Sequence, residues 1–293
     1  MVDLTVLILT KNEEKNLKKC IESFGGIVKR FVIVDSGSTD NTVQIAKELG
    51  ADVYYNPWVD YATQLNWGLK NTQIDTAWTM RMDADEELMP KLRAEIEEKL
   101  PNMPADINGI ELKRRVYFLG KWIKHGGVYP TILLRIFRTG MCVCEQTIMD
   151  EHLILSEGKT IRFKNDFIDN NTKDLQWWID KHNWYSDREM QDYYNKQTQL
   201  ENNQTVVPKL FGTSAERKRW FKYKLYYKIP MMMRARLLFF FRYYIKLGFL
   251  DGKEGRIFHF LQGYWYRFLI DAKIYEREKN RKKENIDQGN IRV

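Results

Sequence analysis

Cysteine is scarce: Cys20, Cys142 and Cys144 are the three in 293 residues, and none sits in a paired zinc-ligand spacing. A disulfide scaffold and a zinc finger are therefore excluded, and a reduced, cytosolic compartment is expected. Long apolar runs are missing too. No uncharged stretch approaches the roughly 18–20 residues needed to span a bilayer, and Met1 leads almost directly into a strand-like segment, so no targeting peptide is expected. The chain has no Gly-x-x-x-x-Gly-Lys-Ser/Thr loop and no Gly-x-Gly-x-x-Gly. Phosphate-loop ATP hydrolysis and dinucleotide redox chemistry lose their usual support. Internal repeats are absent as well.

What is present is a globular composition: 44% hydrophobic and 29% charged, with aromatic residues at 14%. The length suits one large domain or two modest ones. A net charge of +8 points to an anionic partner, but the charge is unevenly placed. Residues 209–293 hold 21 Lys+Arg against 8 Asp+Glu, whereas 1–208 hold 26 against 31. Within that end, the stretch from Trp220 to Phe268 holds 17 of the 40 aromatic residues.

The first half alternates strand and helix patterns. Leu4–Thr10, Phe31–Val34, Asp52–Tyr55 and Ala77–Met82 read as strands; between them lie helical stripes through Leu17–Phe24, Val43–Leu49 and Tyr61–Lys70. This order predicts a Rossmann-like α/β domain with a mostly parallel sheet. Further on, Leu92–Leu100 and Asp174–Tyr194 read as helices, and Gly109–Lys113, Ile132–Phe137 and Thr160–Phe163 as strands. The polar stretch Gln197–Pro208 marks the expected boundary between a domain at 1–208 and a basic, aromatic helical region at 209–293.

Ligands of open parallel sheets bind beyond the carboxyl ends of the strands. Three expected strands end in polar groups: Thr10-Lys11-Asn12-Glu13, Asp35-Ser36-Gly37-Ser38-Thr39-Asp40 and Met82-Asp83-Ala84-Asp85. Such carboxylates and hydroxyls suit the base, ribose and phosphates of a nucleotide. Asp83 and Asp85, one residue apart at a strand end, can hold one Mg²⁺ or Mn²⁺ and touch a ribose; the bland alternative is a helix cap. Arg135 and Arg138 flank a later strand and suit a diphosphate or an acceptor phosphate, unless they are salt-bridged surface residues.

The segments LTVLILTKNEEKNLKKCIESF, FVIVDSGSTDNTVQIAKELGADVY and WTMRMDADEEL together resemble inverting glycosyltransferases of family 2, closely over residues 1–90. The resemblance implies a GT-A fold and a nucleotide-sugar donor, most simply UDP-linked. It places the nucleoside at Thr10, Glu13 and Asp35, and ribose and metal at Asp83 and Asp85, with Asp85 the stronger metal candidate; turn and helix capping is the alternative for Asp35 and the expected role of Asp40. Gln64 and Asn66 match a family segment after the third strand, with a donor-site role or a place on a polar helix face. The family's catalytic base comes from an acidic pair, matched here by Asp150-Glu151; either carboxylate remains open as the base. His152 beside them is a metal ligand or a structural histidine. No Gln-x-x-Arg-Trp motif of processive synthases is present, so transfer of a single sugar is expected. The loop Trp122–Pro130 is a candidate wall of the acceptor pocket.

Residues 209–280 read as helices broken at Pro230 and at Gly248–Gly252, the last with a stripe of Ile257, Phe258, Leu261, Trp265, Phe268, Leu269 and Ala272. Arginines interrupt every apolar stretch, which fits helices lying in a membrane interface or packing as a basic-faced bundle. Tyr243–Gly255 resembles a C-terminal signature of the lipopolysaccharide-core glucosyltransferase-like branch of family 2. The implied enzyme is peripheral on the cytoplasmic face of the inner membrane, with a lipid-linked or glycolipid acceptor. Two alternatives are a transferase for a soluble or protein-borne acceptor and a non-catalytic nucleic-acid-binding protein; the acidic strand ends speak against the latter, so no nucleic-acid partner is expected.

Overall fold

Val2–Thr10 (β1) buries side chains on both faces: Leu4, Val6 and Ile8 on one, Leu7 on the other, which is why its sequence is a continuous apolar run. The computed structural model describes residues 1–147, 149, 151–198, 209–212 and 214–289. Contacts divide them into two units, Met1–Lys173 and the described residues from Asp174 onward.

In the first unit, β1 is followed by α1 (Leu17–Ser23), β2 (Val28–Asp35), α2 (Thr42–Glu48), β3 (Asp52–Tyr55), α3 (Tyr61–Asn71), β4 (Trp78–Asp83), β5 (Glu86–Leu88) and α4 (Pro90–Lys99). Then come β6 (Ile107–Phe118), β7 (Lys121–Ile123), β8 (Thr131–Arg138), β9 (Cys142–Cys144), β10 (Leu153–Leu155) and β11 (Lys159–Asp169). Nine strands form one sheet in the order β3-β2-β1-β4-β8-β6-β11-β5, with β7 paired to β6, and β9-β10 form a separate hairpin. Helices α1, α2 and α4 supply Leu17, Cys20, Phe24, Ala46, Leu92 and Ile96 to the core on one face. Helix α3 supplies Ala62 and Leu65, and β9 Cys144, to the opposite face.

The mostly parallel sheet expected from the sequence forms only in part, with β6 and β11 adding one more parallel pair to those of the first half. Strands β3-β2-β1-β4 are parallel, but β8 runs antiparallel to both β4 and β6, and β5 antiparallel to β11, so the sheet is mixed. The strands expected at Gly109–Lys113, Ile132–Phe137 and Thr160–Phe163 form as parts of β6, β8 and β11, but internal charges hid the full lengths of β6 and β11. In β11 the register against β6 shifts between Arg162 and Asp166, and the amides of Lys164 and Asn165 there bond the buried Glu95 carboxylate at 3.0–3.1 Å. A side chain from α4 thus replaces a strand partner at the bulge, and β11 continues six residues beyond the expected end at Phe163.

The second unit is helical: α5 (Leu175–Thr198), α6 (Ser214–Lys224), α7 (Met233–Phe240) running into a π-turn at Phe241–Ile245, α8 (Gly252–Phe258), a second π-turn at His259–Trp265, and α9 (Tyr266–Gly289). Tyr185, Met190, Tyr193 and Tyr194 of α5 pack on Tyr266, Ile270 and Ile274 of α9. By contacts α5 therefore joins this unit, and the division falls at 173/174 where the sequence suggests 208. The expected stripe is met in part: Phe258 is buried and Trp265 packs on the core, but beyond them the buried apolar positions are Tyr266, Ile270 and Ile274 in place of Phe268, Leu269 and Ala272. The π-turn widens the helix by one residue per turn and rotates the apolar face. Several of the basic residues are neutralised internally. Arg234 forms a buried ion pair with Asp271, and Glu189 holds Lys222 at 3.0 Å and Arg267 at 3.1 Å.

His182 sits within the aromatic packing of this unit, its ring stacked on Trp178 and edge-on to Tyr266, with Nδ1 2.8 Å from the Trp178 carbonyl. Burial pushes its pKa down to about 4. The unfolded chain, with histidine near its ordinary value, binds the proton first as pH falls. Stability is expected to be full above about pH 6.5 and to decline toward pH 4 by up to about 3 kcal/mol. Urea unfolding across that range, against His182→Gln, checks it: the variant should show a shallower decline.

Candidate active site

The parallel ladder lines up the strand ends. Thr10 is in register with Asp35, Asp35 with Tyr55, and Leu9 with Asp83. From β1 the chain order runs outward through β2 on one side and to β4 on the other, so the crevice beyond β1 and β4 is the topological switch point where such sheets take ligands.

Beyond β2, Asp35 builds the turn. Its buried carboxylate accepts the amides of Gly37 and Ser38, each at 2.8 Å, the Thr10 hydroxyl at 2.8 Å and the Ser38 hydroxyl. The Ser36 hydroxyl donates back to the Thr10 carbonyl at 2.9 Å, and Asn12 accepts from the Thr39 amide at 2.8 Å. The two strand ends are thereby locked together. Gly37, at φ +88°, lets the backbone turn back beneath the exposed Tyr55 ring and Lys11. Asp40 accepts the Thr42 amide and hydroxyl and the Glu14 amide, the work of a cap at the start of α2.

Beyond β4, Asp83 and Asp85 differ. Asp83 is held by Arg81 through two hydrogen bonds of 2.7 and 2.9 Å, and the Arg81 guanidinium lies over the Tyr61 ring. Asp85 is half-buried and accepts from Asn171 at 2.8 Å, while its backbone carbonyl accepts the Asn170 amide. Behind them, Glu86 accepts the Asp83 amide at 2.9 Å and is ion-paired to Arg135; both side chains are fully buried. Burial raises the Glu86 pKa against the pull of Arg135, and burial together with Arg81 lowers that of Arg135.

This corrects the expectation for Arg135. It is no surface contact for a diphosphate: its guanidinium lies inside the sheet over the Phe167 ring, where it balances Glu86 and approaches Asp83 at 3.6 Å. Arg138 donates to the carbonyls of Met103, Pro104 and Ile107 and covers Trp78, again within the fold.

Gln64 is buried, and its amide exchanges hydrogen bonds with Asn56 on both sides, at 2.7 Å and 3.1 Å. Asn66 bonds the amide and the carbonyl of Cys144, both at 2.8 Å, which fastens α3 to β9. Both side chains hold the fold around the site. Glu151 lies half-buried in the β9–β10 connection; Asp150, the other candidate base, lies outside the described residues. His152 meets the buried Glu145 through Nδ1 at 2.7 Å and through its backbone amide at 3.0 Å, so it braces this connection.

Three site residues were missed by the sequence reading. Arg81 clamps Asp83; Asn171 orients Asp85; and Lys173 pairs with Glu13 at 2.6 Å, the other oxygen of Glu13 accepting from Asn16. Asn171 and Lys173 belong to the polar run Asp169–Lys173 just past the end of β11, the signal that marked the other strand ends. It was hidden because β11 was expected to stop at Phe163. The loop Trp122–Pro130 packs Trp122 between Arg115, at 4.3 Å, and Tyr129, while the buried Asp166 gathers Arg115, Lys113 and Tyr129.

Among the described residues no group of three or more His, Cys, Asp and Glu side chains converges on one point. Those residues thus build no closed metal cage, but two hard carboxylates at the end of β4 fit Mg²⁺ or Mn²⁺, which usually take one or two protein carboxylates and complete their shell with water and substrate phosphates.

The model of Glycosyl transferase family 2 matches residues 5–153, half of the chain. The lipopolysaccharide core biosynthesis glycosyltransferase LpsC of Rhizobium meliloti is 29% identical, the match covering 98% of this chain and 97% of that protein. An uncharacterized glycosyltransferase of Rickettsia typhi is 41% identical over 97 residues, 33% of this chain and 32% of that protein, so the chain spans about a third of that relative's length. Among solved structures, glucosyl-3-phosphoglycerate synthase from Mycobacterium tuberculosis matches at 21% identity and a TM-score of 0.32, over 39% of this chain and 44% of that one.

Proposed function

The chain belongs to glycosyl transferase family 2, and from that premise we propose that it is an inverting glycosyltransferase moving one sugar from a nucleotide-sugar donor, UDP-linked, to a membrane-borne glycan. The observation that carries this is the position of Asp83-Ala84-Asp85 at the end of β4, across the switch point from the Asp35 turn. The nucleoside lies along the ends of β1 and β2, against Thr10, Glu13 and the turn that Asp35 holds. Gln64, Asn66 and Arg135 support the site from within the fold.

Asp85, with Asp83 beside it, would hold Mg²⁺ or Mn²⁺, which supplies positive charge next to the donor diphosphate. Asn171 fixes the Asp85 carboxylate, and Arg81 fixes that of Asp83, so neither must reorganise when the donor binds. Asp150 or Glu151 accepts the proton of the acceptor hydroxyl. The acceptor oxygen then bonds to the anomeric carbon as the bond to the nucleoside diphosphate breaks on the opposite face, inverting the configuration.

Similarity along almost the whole chain to a protein named for lipopolysaccharide core biosynthesis supports a lipid-anchored core glycan as the acceptor. No helix among the described residues is long and apolar enough to cross a membrane. The basic, aromatic second unit supports peripheral attachment, at the cytoplasmic face of the inner membrane.

The test is turnover of a panel of nucleotide sugars with Mn²⁺ and a lipid-anchored core acceptor. One donor should give a β-linked product from an α-linked sugar, and Glu151→Gln compared with Asp150→Asn should identify the base by a loss of about 10²–10⁴-fold in one of them. Absence of transfer or hydrolysis with every donor would end the proposal.

A further inference from the structure

The second unit carries an apolar tip with no evident role in its own core. After the π-turn the chain makes a tight reversal, Leu247 adopting φ +60° and Gly248–Asp251 forming one 3₁₀ turn before α8. Its base is packed closely enough to fix its shape. A Cβ at Gly248 would stand 2.6 Å from the His259 imidazole, and one at Gly255 would stand 2.3 Å from Cβ of Asp251. His259 and Asp251 are themselves buried, 3.8 Å apart. On the outside of this turn Phe241, Tyr244, Ile245, Leu247, Phe249 and Leu250 are each 43–60% exposed.

The exposed charge beside this turn is predominantly positive. Lys246, Lys253 and Arg256 are exposed, whereas Asp251 is buried and Glu254 half-buried. Exposed apolar residues at the point of a rigid turn, collared by long-stemmed cations, match the two layers of an anionic bilayer surface. The rings and leucines enter the acyl boundary, and the amines and guanidinia remain at the headgroup phosphates. Their charge complements an anionic surface, which commits the tip to lipid over a second copy of this cationic chain.

We propose, building on the membrane-borne acceptor just argued, that the turn Leu247–Leu250 with Phe241, Tyr244 and Ile245 is a wedge that inserts into anionic membranes and anchors the enzyme by that point. The tight base is then what the motif Leu247-Gly248-Phe249-Leu250-Asp251-Gly252-Lys253-Glu254-Gly255 encodes.

The full-length protein is tested by flotation with vesicles of phosphatidylglycerol and phosphatidylethanolamine. Wild type should float, and should float several-fold less in 0.5 M salt. Phe249→Ser/Leu250→Ser should lower partitioning by at least about tenfold, with unchanged melting and unchanged donor hydrolysis. Because the native cysteines are buried, Leu250→Cys can be labelled with an environment-sensitive dye, whose emission should rise and shift to the blue on vesicle addition. If wild type and the double variant float equally, the wedge is wrong and the membrane reading survives. If wild type does not float, both fall. A dye signal that rises with protein concentration in the absence of lipid would overturn the wedge in favour of a second copy.

Discussion

Asp85→Asn is expected to lower nucleotide-sugar turnover by about 10³-fold while leaving the fold in place. Stabilising the charge of a departing diphosphate is worth several kcal/mol, and each 1.36 kcal/mol is about a factor of ten in rate. The substitution keeps the shape and an acceptor oxygen for Asn171, so little stability should be lost. Asp83→Asn should behave differently. Asp83 is the counter-charge of Arg81, whose pKa it holds above the ordinary value although burial works the other way. Removing that charge leaves a largely buried guanidinium uncompensated, so both turnover and melting temperature should fall. Steady-state kinetics, Mn²⁺ titration and thermal melting of the two variants separate the roles. More than a tenth of wild-type turnover in Asp85→Asn would remove Asp85 from the proposed metal site.

The largest stability effect is expected at Arg135. Arg135→Met should destabilise the protein by about 3–5 kcal/mol, because breaking a buried pair leaves one charge without its partner. Glu86 would then be a carboxylate in a fully buried site, and its pKa, already raised by burial, would rise further. The sign of the pH dependence follows. The folded variant binds this proton more tightly than the unfolded chain, so its stability is retained near pH 5 and lost as pH rises toward the folded-state pKa. Urea unfolding at pH 5 and pH 9 measures this. Arg135→Met/Glu86→Leu should recover part of the loss, the non-additivity expected of two groups in contact. A cost below about 1 kcal/mol for the single variant would show that the pair does not hold the Asp83–Glu86 corner together.

Most of the first four strands and three helices were readable because they are buried in a regular way, whereas the edge strand β3 is only partly covered. Leu4–Ile8 pack on both faces of the sheet, and Leu17, Cys20 and Phe24 on one face of α1, so periodicity reports them directly. The strand-end motifs were readable for the same reason: once a strand's end is known, the polar residues after it are known to lie at the ligand edge. Strand β11 shows the converse. Its Lys164-Asn165-Asp166 interrupt the apolar pattern because their partners, Glu95, Arg115 and Tyr129, come from elsewhere in the chain. With the strand end misplaced, Asn171 and Lys173 went unseen.

Arg135 and Asn66 make the same point for single residues. A polar or charged side chain in a sequence carries no mark of which way it faces. Arg135 reads as an anion contact or a surface ion-pair residue and is enclosed with Glu86; Asn66 reads as a donor-site residue or part of a polar helix face and bonds the backbone of β9.

By itself the sequence determined the family, the α/β start of the chain, the acidic strand ends and the concentration of positive charge in the last third. These are local properties, written in composition, periodicity and short motifs. Tertiary structure decided that the sheet is mixed, that Asp83 and Asp85 have different neighbours, that Arg135 lies inside, and that the Leu247–Leu250 turn stands out. The physical reason is that burial and charge pairing depend on groups brought together from distant parts of the chain, and one sequence position records only half of each pair.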